Sequence, residues 1–195
     1  MISIKSMLLS LAMVFGTASL AVPSATAQGT KVIVIDSAKI IRDSKAGIDI
    51  RNKLKTLEEG MVSQLKPEED TLRNELTALQ TKAQGKTQQQ VLADAALKSE
   101  MEALGRKDQA YARKRQIMAQ ELSLTGRKAW SDFRGALNPV LQEVVSEQGA
   151  DLMIDRSNAV YAGAAIDVTA TIISKLDAKT PTVNVQLQKL PTQPQ

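Results

Sequence analysis

Residues 49–137 repeat apolar side chains at helical intervals, and no other feature narrows the fold as much. Leu54, Leu57, Met61, Leu65, Leu72, Leu76 and Leu79 recur at spacings of three, four and seven, the stripe of a helix that buries one face. The step from Leu54 to Leu65 slips the heptad once by four near Pro67. Pro67 also removes one helical hydrogen bond, so a bend is expected there. A second run extends from Gln88 to Leu137. One of its seams is Met101, Asp108, Arg115, Leu122, Ala129 and Ala136, and the other is Leu104, Tyr111, Met118 and Thr125. Polar residues therefore sit within a coiled-coil stripe. The polar stretch Thr81–Thr87, with Gly85, predicts a turn that folds the two runs into an antiparallel hairpin. A first helix of about 34 residues would make an arm roughly 50 Å long. Asp49–Gln80 holds seven acids and five bases, and Lys98–Arg134 five acids and nine bases. Facing helices of opposite net charge favour each other, although each exposed pair is weak.

The two ends of the chain carry strands. Val32–Ile35 is a run of four β-branched apolar residues, a buried-strand signal. Asp36-Ser37 then suits the N-cap of a short helix through Ile40 and Ile41. A catalytic role for Asp36 has no complementary chemistry nearby in sequence. Asn138-Pro139 predicts a helix boundary, with the next helix presenting Val140, Leu141, Val144 and Val145 and ending at Gly149. Asp151–Asp155 and Ala159–Ala162 predict a hairpin around Arg156-Ser157-Asn158. Asp167 is expected to cap a last helix carrying Val168, Ile172, Ile173 and Leu176. Val183, Val185 and Leu187 alternate as in a weak strand, and the final residues are expected to be a loose tail.

Ahead of the first strand, Met1–Ala27 has Lys5, an apolar run from Met7 to Val22, and Ala25-Thr26-Ala27. That is the anatomy of a secretory signal, with cleavage expected between Ala27 and Gln28. The alternative, a retained anchor, is disfavoured because the run is short of the roughly 20 residues a span prefers. Composition then narrows the chemistry. The chain has no cysteine and no histidine, which excludes disulfides, thiol nucleophiles, His-based triads and His-based metal sites. One Trp, two Tyr and two Phe are too few for stacking platforms that read single-stranded nucleic acid. No catalytic residue, metal site or cofactor is expected, and no nucleic acid partner. The sequence pI of about 9.3 alone favours a nucleic-acid binder, and no DNA- or RNA-reading motif accompanies it.

These elements predict an α+β, mostly α fold: a long helical-hairpin arm on a small β body. The expected division is a signal peptide at 1–27, a body from 28–48 and 138–181, the arm at 49–137 and a tail at 182–195. A body of about 65 residues has a marginal core, and the edges of three short strands need partners. Oligomerisation through the body is expected.

Val32-Ile33-Val34-Ile35-Asp36, Lys39-Ile40-Ile41 and Ser44-Lys45-Ala46-Gly47 resemble the opening of the Skp/OmpH family of periplasmic chaperones. Asn138–Leu141, Gln148–Asp155, Ala159–Ala162 and Ala165–Thr169 through Leu176 resemble its closing block. The likeness implies a homotrimer whose arms enclose a cavity, holding unfolded outer-membrane β-barrel proteins in the periplasm without nucleotide. Such clients expose apolar strands, and an adaptable surface suits them. Met61, Leu65, Met101 and Met118 on the arm stripe are candidate client contacts, against the plainer reading that they are coiled-coil packing. Arg106, Lys107, Arg113, Lys114 and Arg115 are candidates for steering acidic clients, against the plainer reading of a solvated face matched to the acidic first helix. Anionic lipid or lipopolysaccharide is a further target the resemblance implies. A structural coiled-coil spacer or adaptor of the envelope would share this architecture without chaperone activity.

Overall fold

Asp36 ends a strand and starts a helix. Its Oδ1 accepts the Lys39 N–H at 2.7 Å, satisfying one of the donors that open a helix. The computed structural model describes residues 29–191; the expected signal segment and the Ala27–Gln28 junction lie outside them. In order come β1 (Val32–Ile35), α1 (Ser37–Asp43), α2 (Lys45–Ala83), α3 (Gln88–Ala93), α4 (Ala95–Gln148), β2 (Leu152–Asp155) and α5 (Thr169–Lys179). Single 3-10 turns stand at Arg156–Asn158 and Ala164–Ile166. The fold is α+β and mostly α, a long helical hairpin on a small strand-bearing body.

The corner between α1 and α2 depends on two small residues. Ser44 is extended and buried, and its Oγ accepts the Gly47 N–H at 3.2 Å. A Cβ on Gly47 would lie 2.0 Å from the carbonyl oxygen of Ile41, so any larger residue pushes the two helices apart. Below this corner Ile33, Ile35, Ile40, Ile50, Phe133, Val140, Val144, Ile172 and Leu176 form one buried cluster. It is enclosed by the sheet, α1, α5 and the body ends of α2 and α4.

Three expectations are corrected. Asn138-Pro139 is no boundary: α4 runs unbroken for 54 residues, with Pro139 inside it. Phe133, Leu137, Val140 and Val144 are buried on both sides of the proline, and continuing the helix keeps that stripe intact. Pro139 and Gly135 are exposed, so the Gly135 carbonyl freed by the proline faces water. Pro67 likewise lies inside a helix, α2, that runs on from Lys45 to Ala83. Second, Ala159–Ala162 is not a strand. β2 instead pairs in parallel with β1, Val32 opposite Leu152 through Ile35 opposite Asp155. Asp155 accepts the Ser157 N–H at 2.8 Å and its hydroxyl at 2.6 Å, which turns the chain out of the sheet. Third, α5 starts one residue later than expected. Asp167 accepts the Thr169 N–H at 2.9 Å, and Val168 holds the N-cap position.

The tip of the arm is also more elaborate than a turn. Gly85 takes φ 78°, a conformation open to glycine. Thr87 and Gln90 then form a capping box for α3. Asp94 interrupts the second helical run, accepting the Leu97 N–H at 3.0 Å as the N-cap of α4 and pairing with Lys86 at 2.7 Å.

Candidate functional site

Three cross-arm ion pairs define how α2 meets α4. Lys82 pairs with Glu100 at 2.6 Å, Glu75 with Lys107 at 2.5 Å, and Glu68 with Lys114 at 2.8 Å. Each step of seven residues down α2 is a step of seven up α4, so the helices are antiparallel with a fixed heptad register. The packing stripe on α4 follows the same interval. Leu97, Tyr111 and Thr125 are buried, with Leu104 and Met118 half-buried between them. That is the second of the two seams read from the sequence. The other is mostly solvent-facing: Met101, Asp108 and Arg115 are exposed, while Leu122 and Ala136 are half-buried and Ala129 buried.

Towards the tip the helices leave apolar surface open between them. A groove of 660 Å³ is lined by Leu72, Leu76, Leu79, Val91, Met101 and Leu104 among others. Leu76 is 49% exposed and Met101 51%. Two helices alone can each bury one stripe, and the short α3, which contributes Val91, leaves the flank open here. Nearer the body a second groove, of 490 Å³, has a different character. It combines Arg106, Arg113 and Lys114 with Ile117 and Met118.

The nine candidate contacts therefore divide. Arg106, Arg113, Lys114 and Met118 are brought together in one groove. Leu65 and Arg115 share a smaller one with Tyr111, where the Arg115 guanidinium lies 5.7 Å from the ring centroid. Met101 lines the distal groove, and Met61 is buried within the arm. Lys107 and Lys114 are engaged with Glu75 and Glu68 on the facing helix. Arg106 and Arg113 make no ion pair among the described residues, so their charge faces solvent unopposed.

The tail carries features that residue pattern alone did not reveal. After α5 the chain turns back along the base of the arm, with Val183 buried and Val185 packed on the core. Glu121 and Thr125, one turn apart on α4, are buried polar residues. They receive the Leu190 and Gln188 N–H groups at 3.2 and 2.8 Å. The alternation of Val183, Val185 and Leu187 was the available signal; the segment forms no strand, because it meets a helix face and not a sheet edge, and alternation could not say which surface that would be.

Electrostatics of the body hold its elements together. Lys175 sits 2.9 Å from Glu143 and 2.7 Å from Glu147. Hydrogen bonds from Lys175 and then Lys179 hold the Glu143 carboxyl down to about 2. Asp155 lies well below the usual carboxylate range, chiefly because Ser157 and Ser37 donate to it. Among the described residues no cluster of acids could hold a metal ion, and no helix is long and apolar enough to cross a membrane.

The family model for outer membrane protein (OmpH-like) matches residues 31–176, from β1 into α5. The chain belongs to the OmpH-like family. The match takes in both strands, the whole arm and most of the closing helix, and it stops short of the tail. A candidate outer membrane chaperone (OmpH-like) of Caulobacter crescentus CB15 has a similar solved structure. Its identity to this chain is 28%, at a TM-score of 0.72, with 84% of this chain and 94% of that one covered. No curated protein matches significantly.

Proposed function

We propose that this OmpH-like protein is a periplasmic holdase that binds unfolded outer-membrane β-barrel proteins without ATP and prevents their aggregation before membrane insertion. The observation that carries the reading is the distal groove. It is a long apolar surface, left open between helices and flanked by charge, and an open groove of this kind is poorly suited to selecting one small ligand. Lipid-facing strands of an unfolded barrel are apolar at alternate positions and aggregate in water. A weakly attractive surface spread along an arm suits such a chain better than a tight site does. The relative from Caulobacter, with its outer membrane chaperone description, supports the same class of function.

The active form in this reading is a homotrimer joined through the body. Val160 is 109% exposed and Tyr161 87%, and they stand beside a sheet of only two strands. Open strand edges next to exposed apolar side chains favour pairing between copies. Arg106 and Arg113 supply an unopposed positive field that raises the capture rate of acidic clients, and anionic lipid or lipopolysaccharide would be drawn to the same field.

Dilution of urea-denatured porin with and without the protein, followed by light scattering, tests the central claim. Suppression of scattering without nucleotide is the expected result. An envelope spacer with the same arms would leave scattering unchanged. The variant Arg106→Glu/Arg113→Glu spares the cross-arm pairs and is expected to slow porin capture at low salt, with the difference fading as salt is raised. Equal rates at low salt would remove steering from the mechanism.

A further inference from the structure

The tail does not leave the molecule after α5. From Thr182 to Leu190 it lies extended against the arm base. Val183, Val185 and Leu187 turn inward, whereas Asn184 and Gln186 are exposed. Its two halves are held differently. The inner half belongs to the core: Val183 is buried, Val185 packs on the same cluster, and the Val183 N–H donates to Asp49 Oδ2 at 3.0 Å. The outer half rests on two side chains of α4. The Gln188 N–H donates to Thr125 Oγ1 at 2.8 Å, and the Leu190 N–H to Glu121 Oε1 at 3.2 Å. Lys189 Nζ lies 3.1 Å from the other Glu121 oxygen, with its own side chain 70% exposed.

Both receiving groups are placed to accept. The Thr125 hydroxyl gives its proton to the Glu121 carbonyl at 2.7 Å, which orients its lone pairs towards the incoming N–H. Glu121 is 5% exposed and Thr125 1%; Thr125 lies on the stripe that faces α2, and the tail adds its own cover through Gln188 and Leu190. A polar pair on a helix that takes backbone N–H groups reads the extended main chain and is indifferent to side-chain identity. Beyond Leu190 the same track opens into the groove of 490 Å³, whose lining begins at Glu121 and Lys189 and continues to Met118, Ile117, Lys114 and Arg113.

We propose that Glu121 and Thr125 are a receptor for extended polypeptide strands with apolar residues at alternate positions. Gln186–Pro191 is then its built-in occupant, displaced when a client strand arrives. The inference rests on the holdase reading and gives it a binding site. The tail repeats the alternation of a barrel strand in Val183-Asn184-Val185-Gln186-Leu187. The outer half is half-buried at Leu187, Gln188 and Leu190 and exposed at Gln186 and Lys189, whereas the core takes in Val183 and Val185, so the outer half opens locally while the inner half stays anchored. While bound, it shields an apolar track that would otherwise face water. Because it is tethered, it competes at a high effective concentration, and only a long chain with several strands displaces it.

Truncation after Val185 tests this while leaving the core contacts of Val183 and Val185 in place. The probes are a labelled synthetic peptide of residues 182–191 and a labelled urea-denatured porin. The truncated chain is expected to bind porin about tenfold more tightly than the full chain, the gain for a site otherwise covered about nine-tenths of the time. The peptide should bind the truncated chain and be released by porin. Adding Glu121→Met and Thr125→Val, which remove both acceptors, to the truncated chain should abolish both the gain and the peptide binding. Circular dichroism and Trp130 fluorescence verify the fold of each variant.

Equal porin affinity of full and truncated chains, or a gain that survives the double substitution, would overturn the proposal and make the outer tail a fixed clasp. Porin captured by both chains but never displacing the peptide would likewise overturn it, with the holdase reading intact. Porin captured by neither chain would instead remove the holdase reading. In that case peptide binding lost on Glu121→Met/Thr125→Val would still support the strand receptor, and its absence would overturn that too.

Discussion

α2 and α4 run through both body and arm, yet they pack differently in each. In the body, Ile50 of α2 and Phe133, Val140 and Val144 of α4 are closed off by the sheet, α1 and α5. In the arm they pack chiefly on each other, with the short α3 at the tip and the tail at the base as their other neighbours. Met61, Leu79, Leu97 and Tyr111 are buried there, while Leu76 and Met101 on the same helices remain half in water. The contrast is one of layers. A helix pair buries one stripe per helix, and a third layer is needed to cover the flanks. Stability is therefore concentrated in the body, and adaptable apolar surface is left on the arm. That division suits a protein whose anchored end must hold while its other end accommodates many chains.

The comparison breaks most visibly if the body core is emptied. Phe133→Ala removes a side chain buried to 1% exposure and is expected to cost about 3–5 kcal/mol. Urea titration followed by Trp130 should register it, because Trp130 packs edge-on against Phe133 at 5.6 Å. Next in size is Gly47→Ala. The added methyl meets the Ile41 carbonyl, and a loss of about 1–3 kcal/mol is expected from the forced shift of α1 against α2. A midpoint equal to wild type would mean that the corner is not the rigid joint described here.

A smaller effect should separate arm from body. Lys107→Glu with Lys114→Glu places like charges against Glu75 and Glu68, at less than about 1 kcal/mol per exposed pair. Amide exchange should rise in the arm, while the Trp130 unfolding midpoint moves little. A large fall in that midpoint would mean that the arm register supports the body.

The smallest effect is in acid. Glu143 is lowered from 4.5 to about 2 by Lys175 and Lys179. A carboxylate depressed in the folded state contributes stability above its unfolded value and loses it as pH falls through its folded value. The contribution should thus be complete above about pH 4.5 and fade towards pH 2. Because water still reaches the Glu143 side chain, which is 31% accessible, the effect is small, and Glu143→Gln should flatten that part of the pH profile.

Much of this molecule follows from local pattern. The β-branched run at Val32–Ile35, the cap at Asp36, the hairpin turn around Gly85 and the stop at Gly149 depend on a few neighbouring residues, and each stands where its chemistry demands. The two long helices follow from periodicity, because an apolar residue every three or four positions has one helical solution. Opposite charges on the two runs anticipated their pairing, and Glu75–Lys107 and Glu68–Lys114 are instances of it. Other features depended on surroundings. Pro139 is a helix-breaking signal overridden by the continuous buried stripe from Phe133 to Val144. Val160 and Tyr161 have strand composition but no neighbour to pair with, and Asp155 diverts the chain before them. Which seam of α4 meets α2 is set by register, a property of two helices and not of one. Only the folded chain brings Glu121 and Thr125, 60 residues or more away in sequence, against Gln188 and Leu190. Periodicity specifies which face of an element is apolar; what covers that face is decided by the packing of distant segments, where burial outweighs local preference.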